Sequence, residues 1–101
     1  DSGWITPTLN SGFTGYSDPY GTIKYRKIGN IVNIQGITNE AVANSIVFTL
    51  PVGFRPERRL VLAAINANAI ARLDIDQAGN VRQDYVASSS WFSLNCTFFT
   101  A

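Results

Sequence analysis

Two side chains in "AIARLDID" (Ala69–Asp76) could act on one ligand: Arg72 and Asp74, two apart. On an extended strand, residues two apart project from the same face, roughly 7 Å from each other along it. A guanidinium donates, a carboxylate accepts and a sugar hydroxyl does both, so the pair can bracket a vicinal diol. The competing reading is a solvated polar face, or an ion pair of little energetic weight. An aromatic ring would supply a flat apolar patch for the C–H side of a pyranose. Trp4, Tyr16, Tyr20, Tyr85 and Trp91 are candidates, against core packing, which claims most aromatics in a small chain. Trp91 is the strongest. It lies on the strand face opposite Phe92 and Leu94, after the polar loop "ASSS". Phe99 on that same face points instead to a subunit interface.

Much other chemistry is excluded. The chain has no histidine, which removes the commonest general base and metal ligand, and with them Ser-His-Asp and Cys-His catalysis. Cys96 is the single cysteine, so neither a disulfide framework nor a thiolate zinc site is available. It reads as a small buried hydrophobe. Asp74, with Asp76 or Asp84, could be taken as the paired carboxylates of a glycosidase, but no motif supports that. Asp76 reads as a turn residue leading into "QAGN". Arg55, Arg58 and Arg59 around Pro56 either guard an edge strand or meet an anionic group such as a phosphodiester. "NCT" (Asn95–Thr97) matches a glycosylation acceptor but falls in an expected core strand.

The elements that must position these residues are strands. "TIKYRKIGNIVNIQGIT" (Thr22–Thr38) predicts a hairpin turning at Gly29-Asn30, with Ile23, Tyr25, Ile28, Val32 and Ile34 inward and Lys24 and Arg26 outward. "NEAVANSI" offers at most one helical turn. "SIVFTLP", "RRLVLAAINA", "AIARLDID" and "VRQDYV" predict further strands. "WFSLNCTFF" (Trp91–Phe99) predicts one long strand, with Phe92, Leu94, Cys96 and Phe98 on one face. The first twenty residues, rich in Gly, Ser, Thr and Pro, read as short strands and long loops. The run "LVLAAINANAIA" (Leu60–Ala71) is free of charge and suggests burial on both faces, one inside the fold and one against a symmetry mate. Seven or eight short strands with Gly/Asn turns imply an antiparallel sandwich or barrel.

With 101 residues and 46% hydrophobic content, the chain has the length of one domain with a thin core. A net charge of +1 argues against duplex nucleic acid or an anionic membrane as partner. No apolar run approaches the roughly 20 residues that span a bilayer. The chain starts at Asp1 and lacks methionine, which reads as the C-terminal piece of something longer.

The ordered set "KYRKIGNIVNIQGIT", "TLPVGFRP" and "LDIDQAGNV" resembles the C-terminal head domains of phage tail receptor-binding proteins, those of siphophages of lactic acid bacteria, lactococcal and streptococcal. The likeness covers most of Lys24–Val81. It implies an all-β, barrel or jelly-roll-like head spanning residues 1–101, three copies of which pack about a threefold axis at the tail tip or baseplate of a virion. It implies host adhesion through a bacterial cell-wall or surface polysaccharide, with other tail proteins joined through an upstream part. In lactococcal relatives a His, an Asp and an Arg hold the saccharide beside an aromatic ring. Asp74 stands at the family's Asp, in the D-I pair, and Arg72 where the family often has His. The family's Trp after the glycine turn has no match, since Arg82, Gln83, Asp84 and Tyr85 occupy that stretch.

The expectation is therefore a non-enzymatic saccharide-binding head, using Arg72 and Asp74 with Trp91 and Tyr85, without metal or cofactor, and with neither nucleic acid nor membrane insertion. The alternatives are a structural trimerisation or capping domain of a tail fibre and, third, a polysaccharide depolymerase.

Overall fold

The computed structural model describes residues 1–17, 19–20 and 22–101, so Asp18, in the loop-rich first segment, lies outside the described residues. Among them there is no helix. Nine antiparallel strands form two sheets: β1 (Lys24–Ile28), β2 (Ile31–Gln35), β3 (Ile37–Thr38), β4 (Ser45–Thr49), β5 (Leu60–Asn66), β6 (Ala69–Ile75), β7 (Asn80–Tyr85), β8 (Phe92–Ser93) and β9 (Cys96–Phe99). The order is β1-β2-β9 in one sheet and β3-β8-β5-β6-β7-β4 in the other. The larger sheet curls into a half-barrel over the smaller.

The hairpin forms where the sequence places it, with Ile28 facing Ile31 across Gly29-Asn30. Its alternation buries Tyr25, Val32 and Ile34, and Ile23 just ahead of β1. Ile28 departs from the expected inward set. It has the outward parity of Lys24 and Arg26 and is 45% exposed. The period of two decides its face, whatever its apolarity.

The expected single strand Trp91–Phe99 is two strands. Phe92 pairs with Thr38 and Asn66 in the large sheet, whereas Cys96, Thr97, Phe98 and Phe99 pair with β2 in the small one. The chain changes sheets at Leu94-Asn95. Beside it, β2 gives way to β3 at Gly36 in the same manner. The two corners are tied together: the Leu94 N–H donates to Gly36 O at 2.9 Å, and the Gly36 N–H to Asn95 Oδ1 at 2.8 Å. Gly36 has φ +125, and a Cβ there would meet Ile23 Cα at 2.7 Å. The face alternation survives the corner, so Phe92, Leu94 and Phe98 all remain in the core.

Two bulges flank β7. Val47 in β4 and Asp84 in β7 have no partner in the paired register. A bulge adds curl, and at Val47 it lets two successive residues, Val47 and Phe48, both be buried. The core is one cluster around Phe48, Phe92, Leu73, Ile75 and Leu94, with Tyr25 stacked on Phe48 at 5.9 Å. The buried polar residues Thr38, Asn66, Asp74 and Gln83 are all hydrogen-bonded, whereas the buried Nε of Arg26 has no partner among the described residues. Asn66 donates to Ser90 O and Trp91 O and accepts from the Ala87 and Ser88 N–H groups, which pins the Ala87–Ser90 loop. Gln83 likewise holds Thr38, Glu40 O and the Val42 N–H.

The run Leu60–Ala71 is not buried on both faces within one chain. Val61, Ile65 and Ile70 form an exposed apolar outer face, with Ile70 70% exposed. The edge of β5 turned towards β9 is paired only at Asn66, to Phe92. A groove of about 320 Å³ lined by Pro56, Leu60, Leu62 and Phe98 runs along that seam. No helix among the described residues is long and apolar enough to cross a membrane.

Candidate functional site

The two-residue turn at Ala67-Asn68 sets the register of β5 on β6. It places Val61 opposite Asp74 and Ala63 opposite Arg72. On the other side, Tyr85 is opposite Arg72, and Arg82 opposite Asp74. The outer face of β5, β6 and β7 thus gathers Arg72 and Asp74, as their spacing predicts, and the register adds Tyr85 beside them.

It also gathers what the spacing does not announce. Arg72 grips Asp74 with both prongs, Nε to Oδ1 and Nη2 to Oδ2, each at 2.8 Å. Arg59 donates from Nε to Asp74 Oδ2 at 2.8 Å and from Nη2 to Asp84 Oδ2 at 3.0 Å. Arg82 completes the chain on Asp84, with Nη2–Oδ1 at 3.1 Å. The network runs Arg72–Asp74–Arg59–Asp84–Arg82, and its three cations and two anions leave one positive charge.

Burial within it is uneven. The Asp74 side chain has no exposed surface, while those of Arg59 and Arg72 are 45% and 49% exposed. Asp74 therefore does not present its oxygens outward, as the sequence reading expects of a ligand-bracketing carboxylate. It orients two guanidiniums whose remaining N–H donors face solvent. Burial alone, the largest influence, would push the Asp74 carboxyl up. The hydrogen bonds and charges of Arg72 and Arg59 together outweigh it and hold the group below its ordinary value. The same hydrogen bond to Asp74 raises Arg72 and Arg59.

Tyr85 stands next to Arg72 and is 58% exposed. Trp91 lies elsewhere, beside the β5–β6 turn, where its carbonyl accepts from the Ala67 N–H at 3.0 Å. It is half-buried. Asp76 is a turn residue, accepting from the Ala78 and Asn80 N–H groups. Arg55 is structural, its Nε donating to Leu50 O at 2.8 Å. Trp4 is 39% exposed, and its ring is engaged by two cations, with Arg26 4.5 Å and Lys24 4.7 Å from its centroid.

A second concavity, of about 740 Å³, lies on the outer face of the small sheet, lined by Tyr20, Lys24, Asn33, Gln35, Asn95 and Thr97. Sequence reasoning passed over it. Its only signal there is that two of the three outward positions of β2 are amides, Asn33 and Gln35. Cys96 packs against the core beside this cleft, and burial pushes its thiol up to about 12. The described residues contain no cluster of three His, Cys, Asp or Glu side chains arranged to hold a metal. In comparisons with known proteins, no family model and no curated protein sequence matches the chain.

Proposed function

We propose that the chain is a phage receptor-binding head domain that adheres to a saccharide on the bacterial surface, without catalysis. The observation that carries the reading is the pre-set guanidinium array. Arg72 and Arg59 are half-exposed, fixed from beneath by buried Asp74 and bordered by the exposed Tyr85 ring. Guanidiniums already held in place lose less entropy on binding than free ones. The surplus positive charge favours an anionic group, such as a polysaccharide phosphate or carboxylate. Tyr85 offers its ring to the sugar. In this reading Asp74 is a positioning residue, and Trp91 belongs to the neighbouring rim.

The same proposal has three copies packed together. The exposed Val61, Ala63, Ile65 and Ile70 and the largely unpaired edge of β5 support it, and an interface there would border Arg72 and Tyr85. Three sites per trimer would turn a weak contact into firm attachment. A structural cap is the second reading. It is favoured by one observation, that Asp74 is wholly engaged within the protein.

The test is labelling of candidate host cells with the fluorescent protein and with Arg72→Ala and Tyr85→Ala. Strain-selective labelling that falls about tenfold or more in both supports the reading, since contacts at the centre of a site are worth at least 1.4 kcal/mol. Labelling unchanged in both moves the site elsewhere. No labelling of any phage-sensitive strain favours the cap.

A further inference from the structure

We infer that the cleft on the outer face of β1, β2 and β9 is a second saccharide site, selective for neutral, hydroxyl-rich sugar units. It lies across the sandwich from the arginine network and does not depend on it.

Register builds the cleft. Lys24 faces Gln35, and Asn33 faces Thr97. Cross-strand partners stand about 5 Å apart, and Asn33 and Gln35 roughly 7 Å apart along one strand, a grid on the scale of the hydroxyls around a pyranose. Two of the three amides are tethered by one end. Asn33 uses Nδ2 on Thr97 Oγ1, which leaves Oδ1 as an acceptor. Asn95 uses Oδ1 on the Gly36 N–H, which leaves both Nδ2 protons as donors. The Gln35 amide has no hydrogen bond among the described residues and is exposed. It offers both kinds.

The cleft thus presents a fixed acceptor, a fixed donor pair and one adaptable amide. Hydroxyls, which donate and accept at once, satisfy that set. A bare anion would leave the Asn33 acceptor without a donor. Tyr20, 61% exposed at the rim and edge-on to Tyr16 at 6.3 Å, supplies the ring for the C–H face. Lys24, the one cation among the described residues lining the cleft, lies over the Trp4 ring. The two faces divide the work: guanidiniums for a charged group on one side, amides for neutral hydroxyls on the other.

The experiment is a ¹⁵N–¹H NMR titration of the whole chain with maltotriose, tri-N-acetylchitotriose and trigalacturonate, following the side-chain amides of Asn33, Gln35 and Asn95. At least one of the two neutral oligosaccharides is expected to shift all three amides at millimolar concentration, and more than trigalacturonate does. Gln35→Ala, an exposed change that removes no internal bond, is expected to weaken that binding about fivefold to tenfold, the worth of one amide's hydrogen bonds. Tyr20→Ala should weaken it similarly. Arg72→Ala should leave it intact, so this site and the arginine face stand or fall separately. Amides that stay still with both neutral sugars overturn the inference. So does binding that Gln35→Ala and Tyr20→Ala leave unchanged, or a stronger response to trigalacturonate.

Discussion

Asp74 shows how far a residue's role depends on what surrounds it. A carboxylate beside an arginine on a strand invites a ligand. With Arg59 added and all its surface covered, it becomes the internal anchor of two cations. Its folded value lies below its unfolded value near 3.8, so its stabilising contribution is fully present above that pH. It is lost as pH falls through the lower, folded value. Thermal melts at descending pH should therefore show a stability loss beginning below about pH 4 that Asp74→Asn largely removes. An unchanged acid slope in the variant would contradict the role. The two arginines share the anchor. Arg72→Ala alone should lower the urea midpoint only slightly, and Arg59→Ala with Arg72→Ala by more than the two single changes summed, because only the double change leaves the buried carboxylate unpaired. Urea melts that found the two losses simply additive would argue that Asp74 is solvated rather than anchored.

At the scale of elements, periodicity was a sound guide wherever a strand stayed in one sheet. The β1–β2 hairpin and β6 lie where their alternation puts them, with Ile28 the exception. The breaks at Gly36 and Leu94-Asn95 leave no trace in the alternation, because the chain changes sheet without changing which side chains face the core. The Asp84 bulge is equally silent, and with it went half of the arginine network. Arg59 was nearer to hand. Once the Ala67-Asn68 turn fixes Val61 opposite Asp74, the outward residue two positions before Val61 lies diagonal to that carboxylate. The amide cleft escaped because it needs three strands and a corner, and no short motif spans them. Gly36 is the point at which a single change should break this geometry. Gly36→Ala combines a left-handed backbone with a Cβ 2.7 Å from Ile23 Cα, in a site closed by main-chain bonds. A loss of about 2 kcal/mol or more is expected, larger than for an ordinary surface change. A denaturation midpoint equal to the parent's would mean that the corner relaxes freely.

For the whole molecule, one chain leaves apolar surface in a pattern a lone domain has little use for. Val61, Ala63, Ile65 and Ile70 share one sheet face, and the adjoining edge of β5 offers backbone groups that, among the described residues, are paired in the sheet only at Asn66. Contiguous exposed apolar surface of this kind marks contact with another molecule or a liability to aggregate, and an unpaired strand edge adds to both. In the proposed trimer, association covers the patch and removes the liability. Light scattering should then give three times the 11.0 kDa chain mass. Ile70→Lys puts a charge into the middle of the patch at a side chain that is 70% exposed in one chain. It should therefore shift the species to monomer while changing monomer stability by no more than about 0.5 kcal/mol. It should also lower cell labelling more than sugar affinity per chain, since it removes the linkage of three sites and not a contact with the ligand. A parent protein that is monomeric at all concentrations would sink the trimer. Labelling that persisted under those conditions would place adhesion in a single copy.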